Sequence, residues 1–331
     1  MLILSKENIK ASINMQEAIS ASAEALRLYT QKQAHVPLRT NLDVSQFKGQ
    51  SLYMPAVTAG SLNALGVKIV SVYPENLAKG LPSVPSTMVV QDPETGIVSA
   101  ILDGTYLTQL RTAAVQGVAT NALARLDAQI AALIGTGGQG LQQAIAMMTV
   151  RPLKELRVFD LQFERAEAFA KHLQEEIADK FDTTIVPVAS AKEAVLDADI
   201  ITSVTTSRQP TFAFADVKAG AHINGVGAYT PDMIELPNEL IASADCLLVD
   251  TKEGVLSEAG DIITPLEKGL ITENNITGEL GQLLLGQVKG RQHSDDITVF
   301  KTVGTAILDV VTAQVIVEKA LHHQQGTSID F

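Results

Sequence analysis

Residues 130–140 read IAALIGTGGQG, an apolar run followed by Gly135, Gly137 and Gly140 in G-x-G-x-x-G spacing, with the helix-like run QQAIAMM just beyond. A strand, this spacing and a helix in direct succession make a phosphate-binding turn. The first glycine permits a sharp turn, the second lets a pyrophosphate reach the backbone, and the third lets the helix pack on the strand. Glycine-rich turns also occur in other doubly wound folds, so the spacing alone is a weak signal. The next apolar run, LRVFD, ends in Asp160, roughly 25 residues after Gly135, where dinucleotide-binding units place an acid against the adenosine ribose. A carboxylate there repels a 2′-phosphate, and Leu161 rather than an arginine follows it, so NADH is the expected cofactor. Arg165, expected on the following helix, keeps NADPH open as the alternative.

Outward from this turn, apolar strand-like runs at 129–134, 156–160, 184–188, 198–205, 221–226 and 244–250 alternate with helix-like intervals such as 139–149 and 163–178. Such alternation predicts a parallel sheet covered by helices on both faces. Towards the N-terminus the pattern differs. Residues 1 to about 35 read as helix-rich, with Asn14 as a capping residue. Runs at 50–56, 66–73, 86–91 and 97–102 read as a strand meander, broken by turn residues at 74–76 and 92–96. A long helix follows Thr105, and 302–324 reads as a last amphipathic helix. The fold class is therefore α/β: a Rossmann-type doubly wound parallel sheet, 119–302, plus a second α+β domain built from both chain ends, 1–118 with 303–331.

The 331 residues carry a formal charge of −12 and no basic stripe, which excludes a nucleic-acid partner. No apolar run approaches about 18 residues, so no membrane span is expected. The N-terminus meets Glu7 too soon for a signal peptide. The single cysteine, Cys246, lies in an apolar run and reads as a buried small hydrophobe; with no disulfide to form, a cytoplasmic location is expected. No G-x-S-x-G elbow, Walker loop or clustered Cys/His set is present, and no metal site is expected. His322 and His323 read as an exposed pair pointing apart on a helix, and Asp295-Asp296 as solvated or capping acids.

Cations within apolar runs are more informative. Lys68, in ALGVKIVSVY, shares a strand face with Val70 and Val72, so its ammonium needs a partner there unless it snorkels at a strand edge. Arg39 and Arg111, taken singly, read equally as surface salt-bridge formers, although a guanidinium fork suits a carboxylate ligand.

These residues lie within GVKIVSVYPEN (66–76), DPETG (92–96), LDGTYLTQLRTAA (102–114), IGTGGQG (134–140), GAHINGVGAYTP (220–231), EAGD (258–261), ELGQLLLG (279–286) and SDDITVFKTVG (294–304). In this order, over essentially the whole chain, they resemble the ornithine cyclodeaminase/mu-crystallin family. The resemblance implies a homodimer whose second domain binds substrate and mediates dimerisation. It implies that Arg39, Lys68 and Arg111 grip a substrate carboxylate, with Lys68 catalytic beside the reacting carbon and Val303 in the substrate wall. Ser83, Arg111, Gly138, Gln139, Asp160, Thr202, Val226 and Thr302, with the three motif glycines, match cofactor-lining positions. The implied chemistry is hydride transfer between nicotinamide and the α-carbon of an amino acid or its imine.

One position departs from the pattern. Tyr229 stands where cyclodeaminases and related alanine dehydrogenases carry an aspartate acid/base, and Met233 where they carry lysine. A phenol is a poor base near neutral pH, which points to the branch that reduces preformed cyclic ketimines. The expected substrates are pyrroline-2-carboxylate, giving L-proline, and piperideine-2-carboxylate, giving L-pipecolate. Asp232 is a candidate replacement for the lost acid/base, which would restore the cyclodeaminase or alanine dehydrogenase reading. A non-catalytic nucleotide- or ligand-binding protein of the crystallin kind is the other alternative, against which stands the joint retention of Arg39, Lys68 and Arg111.

Overall fold

The computed structural model describes residues 1–330, the side chain of Leu77 excepted. The chain divides into two compact units, Met1–Arg111 with the stretch from Thr305 onward, and Thr112–Gly304.

The first unit opens on β1 (Leu2–Leu4), α1 (Lys6–Ser12) and α2 (Met15–Thr30). Ser5 and Asn14 start the two helices as reciprocal capping boxes with Asn8 and Glu17, satisfying N–H groups that a helix leaves orphaned. Next come β2 (Ala34–His35), β3 (Thr40–Val44), β4 (Gly49–Thr58), β5 (Ala64–Val72), β6 (Ser86–Gln91) and β7 (Val98–Asp103). Strands β4 to β7 form an antiparallel meander, to which β1 adds in parallel beside β7. Leu2–Leu4 is thus a strand rather than part of a helical start: Leu2 and Leu4 point inward while β7 supplies the ladder.

Helix α3 (Gly104–Leu123) follows β7 directly. Arg111 pairs with Asp309 of the first unit, whereas Gln116 and Thr120 hydrogen-bond Thr202 and Asn224 of the second. The two compact units divide within this helix, at Arg111/Thr112, against the expected 118/119 boundary.

The second unit runs through β8 (Ile130–Ile134), α4 (Gly140–Val150), β9 (Glu155–Phe159), α5 (Phe163–Ile177), β10 (Thr184–Pro187), α6 (Ala191–Val195), β11 (Ile200–Ser203) and β12 (His222–Gly225). It continues through α7 (Asn238–Ser243), β13 (Cys246–Val249), α8 (Lys252–Glu258), α9 (Gly260–Glu267), β14 (Gly278–Glu279), α10 (Leu280–Leu284) and β15 (Thr298–Lys301). All its strands are parallel, in the order β10-β9-β8-β11-β12-β15-β13-β14. Along β8 the side chains alternate: Ala131 and Leu133 join one apolar core with Met147 and Leu173, and Ala132 and Ile134 join another with Leu240 and Val255. Both faces of the sheet are therefore covered, which is why its strands read as unbroken apolar runs. Strand order reverses between β8 and β11, the point at which doubly wound sheets bind ligands beyond the carboxyl ends of their strands. Cys246 is buried in β13, and burial pushes its thiol up.

The chain returns to the first unit with α11 (Ala306–His322) and β16 (Thr327–Ser328), the latter antiparallel to β1. Helix α11 is not amphipathic as expected: it packs on β4, β5 and β6 and also on α1 and α2, so residues Ala306–Ala313 are all buried. His322 and His323 are exposed but do not point apart. His323 is the C-cap, and the two rings meet edge to face with centroids 5.1 Å apart. Among the described residues, no helix is long and apolar enough to cross a membrane.

Candidate active site

Sequence-expected ligand positions of the second unit fall at the carboxyl ends of its strands. After β8, Gly135 has φ +102°, and a Cβ there would lie 2.7 Å from the Val204 carbonyl oxygen. A Cβ on Gly137 would meet nothing within 4 Å, whereas one on Gly140 would press on the Gly135 carbonyl and the Phe169 ring at 3.0 and 3.2 Å. Turn, open approach and close packing are thus separate tasks of three glycines. Gly138 is exposed, and Gln139, the N-cap of α4, has a buried Oε1 without a partner. Beyond β9, Asp160 accepts the Thr136 backbone N–H at 3.2 Å and its hydroxyl at 2.7 Å. Burial opposes ionisation there, but these bonds and that of the Gln162 N–H hold the carboxyl below its ordinary range. Arg165 is on α5, and its charge acts in the same sense. An open, glycine-lined turn at a helix N-terminus with an ionised acid beside it fits a dinucleotide.

Buried carboxylates hold the neighbouring loops. Glu235 accepts the Ser203 hydroxyl (2.8 Å) and Thr205 N–H (2.5 Å) on one oxygen, and the Gly227 and Ala228 N–H groups (2.6 and 2.7 Å) on the other. It ties the loop after β11 to that after β12, where Val226 sits. Burial, with Asp261 nearby, raises its carboxyl above the ordinary range despite the opposing charge of Lys301. Asp261 accepts the backbone N–H groups of Glu235 and Leu236. Lys301 Nζ lies 2.9 Å from Asp261 as an ion pair, not aligned as a hydrogen bond. Asp250, at the end of β13, accepts the Thr302 hydroxyl (2.6 Å) and the N–H groups of Val303 (3.1 Å) and Gly304 (2.8 Å). Thr202, by contrast, turns its hydroxyl into the interior towards Met147, Gln116 and Asn224, and its backbone is paired between β8 and β12.

In the first unit, Lys68 occupies the inward face of β5 with Ala64, Gly66 and Val70, between Met54 of β4 and Met88 of β6. Its partner is Asp309 in the first turn of α11: Lys68 Nζ and Arg111 Nε both donate to Asp309 Oδ1, at 2.8 and 2.7 Å. All three side chains are buried, so Arg111 is not a surface residue and Lys68 does not snorkel. Burial, then the Arg111 charge, pull the Lys68 ammonium down to about 7; Asp309 opposes them, and Arg39, half-buried ahead of β3, adds to the lowering. Arg111 Nη1 and Asp309 Oδ2 are buried without hydrogen-bond partners. With Lys68 protonated, two cations share one carboxylate, a balance of charge that favours a further anion. Ser83 is half-buried in the connection to β6, its carbonyl accepting the Tyr73 N–H.

The model of the ornithine cyclodeaminase/mu-crystallin family matches residues 1–324. The Delta(1)-pyrroline-2-carboxylate reductase of a Bacillus cereus strain is 38% identical over 331 residues, all of both chains. The chain belongs to the ornithine cyclodeaminase/mu-crystallin family. The fold also resembles Thermococcus litoralis Delta(1)-pyrroline-2-carboxylate reductase, solved in complex with NADH and L-proline, with a TM-score of 0.94 and 41% identity over 99% of this chain and 100% of that one. An archaeal alanine dehydrogenase dimer with bound NAD gives a TM-score of 0.90 and 34% identity over 100% and 99% of the two chains.

Within this member of the ornithine cyclodeaminase/mu-crystallin family, the acid three residues on from Tyr229 is Asp232. Asp232 accepts the Thr230 hydroxyl at 2.6 Å and pairs with Arg208 at 2.8 Å on the surface. The Thr230 bond, aided by Arg208, holds its carboxyl low despite slight desolvation, so it is a poor proton donor. Tyr229 packs on the apolar core. Among the described residues, no group of three or more His, Cys, Asp or Glu side chains could hold a metal ion, and Asp296 caps the Gln292 and His293 N–H groups. Asp309, Glu235 and Asp250 escape the reading from sequence. The signal for Asp309 was present in AILDVVTAQVIV, a lone acid in an apolar helix, which is the test that picks out Lys68.

Proposed function

We propose that this protein is an NADH-dependent ketimine reductase that converts pyrroline-2-carboxylate to L-proline, with piperideine-2-carboxylate as the second substrate. The observation that carries the proposal is the buried Lys68–Asp309–Arg111 cluster, two cations on one carboxylate; the tyrosine at 229 and the surface ion pair that holds the Asp232 carboxyl low fit it. Support comes from the similarity to a reductase solved with NADH and L-proline.

In this reading Arg39 and Arg111 hold the ring carboxylate, with Val303 in the substrate wall. Lys68 faces the imine and gives its nitrogen a proton. A bound reduced nicotinamide supplies the hydride. Gly135, Gly137, Gly138, Gln139 and Gly140 hold the pyrophosphate, and Asp160 takes the adenosine ribose and disfavours NADPH. Ser83, Arg111, Thr202, Val226 and Thr302 are the further positions assigned to the cofactor. Positioned charge supplies most of the rate enhancement, since fixed cations hold the carboxylate in place and need no reorganisation as negative charge develops on the imine nitrogen. The enzyme acts in the cytoplasm as a homodimer; the single buried cysteine fits a reducing compartment.

The test follows NADH absorbance with the purified protein and pyrroline-2-carboxylate, piperideine-2-carboxylate, or pyruvate with ammonia, and NAD reduction and ammonia release with ornithine. Oxidation with the cyclic imines alone is the expected result. Turnover of ornithine or pyruvate would replace the reading by a deaminating one, and NADH binding without turnover would leave a nucleotide-binding protein.

A further inference from the structure

Asp309 lies 241 residues from Lys68 and 198 from Arg111 in sequence, yet one of its oxygens takes a hydrogen bond from each. It sits in the first turn of α11, where the helix dipole favours a negative charge. The groups facing Lys68 are few: Arg111 from α3, Asp309 from α11, Arg39 ahead of β3, and the uncharged Met54 and Met88 from the flanking strands. Two cations forced together in a dry interior repel, and the lysine, unlike arginine, can relieve the repulsion by losing its proton. Asp309 is the counterweight. It also directs both donors, because Lys68 and Arg111 converge on the same atom while Arg111 Nη1 stays without a protein partner.

We propose that Asp309 is a positioning residue of the reduction, keeping Lys68 charged and aimed, with Arg111, at the ring of a bound imino carboxylate. The inference rests on the function proposed above. Arrival of the substrate carboxylate brings a second anion to the cluster, which draws a proton onto Lys68 and so makes the donor when it is needed. As hydride adds to the imine carbon, the C=N π electrons pass to nitrogen, which takes the proton from Lys68. The neutral amine stays on Asp309 and recovers a proton from water.

The experiment is the pH profile of kcat for the parent and Asp309→Asn with pyrroline-2-carboxylate and saturating NADH. In the parent, activity falls as pH rises through the Lys68 titration. In Asp309→Asn that limb moves to lower pH by about one unit or more, so activity is about tenfold down above it and within about threefold of the parent at the acid end. An unmoved limb, or an equal loss at every pH, would overturn the proposal. A second measurement needs no turnover. The side-chain NMR signal of Lys68 in the labelled parent, assigned by its absence in Lys68→Met, should titrate near neutral pH and move upward when pyrrole-2-carboxylate is added. Titration in the ordinary lysine range, or no response to that carboxylate, would also overturn it. A parent that reduces no imine would sink the proposed function, and the Lys68 titration compared between the parent and Asp309→Asn would then decide the role of Asp309: a lower titration in the variant supports it, and an unchanged one overturns it.

Discussion

His222, at the head of β12, is fully buried between Thr298, 3.0 Å from Nδ1, and Asn224, 3.0 Å from Nε2. Burial first, and the charge of Arg291 second, bring its pKa from 6.5 down to about 3, with the Asn224 bond opposing. In the folded protein the ring is neutral across a range where the unfolded chain binds a proton. The contribution to stability is thus complete above the unfolded value and is lost as pH falls from 6.5 towards 3. At about pH 5 the loss is about 2 kcal/mol, from about one and a half pH units at about 1.4 kcal/mol each. Urea unfolding at neutral pH and at about pH 5 should show that loss in the parent and a much smaller one in His222→Gln. Equal losses in both would assign the acid sensitivity to other groups.

The β8–α4 turn separates stability from affinity within a few residues. Ala at 135 would be held at φ +102° with its Cβ against the Val204 carbonyl, a strain of about 1–3 kcal/mol. At 137 the added methyl points into open space, so stability should stay within about 0.5 kcal/mol, while NADH, whose pyrophosphate needs that space, should bind about tenfold or more weakly. Thermal melting without cofactor and NADH fluorescence titration separate the two. Loss of stability in Gly137→Ala with unchanged NADH binding would refute the assignment. This turn was legible because its chemistry is local in sequence. The brace by Glu235 was not, since its partners at 203–205 and 227–228 come together only when β11 and β12 pair in the sheet.

At the scale of the whole molecule, the proposed dimer has a surface that fits it. Among the described residues, strand β3 pairs only with β4, and Leu38, Leu42 and Phe47 around it are 54, 51 and 63% exposed. An open strand edge beside apolar side chains is a surface that proteins cover. Light scattering should give twice the 35.2 kDa chain mass, and Leu42→Glu with Phe47→Glu should shift the protein towards monomer. A parent that runs at 35.2 kDa across the micromolar range would remove the dimer from the proposal.

The sequence by itself determined the α/β class, the alternation that builds a parallel sheet, the glycine turn with Asp160, and the need of Lys68 for a partner. Each follows from residue type and near-neighbour spacing, which act before any long-range contact forms. Only the tertiary structure decided what Lys68 meets and where the seam in α3 lies. It also made a strand of Leu2–Leu4 and buried α11 on several sides. These depend on chain segments far apart in sequence, β5 with α11 and β1 with β7. A charge buried by such packing is paired by whichever residue the fold delivers, here Asp309.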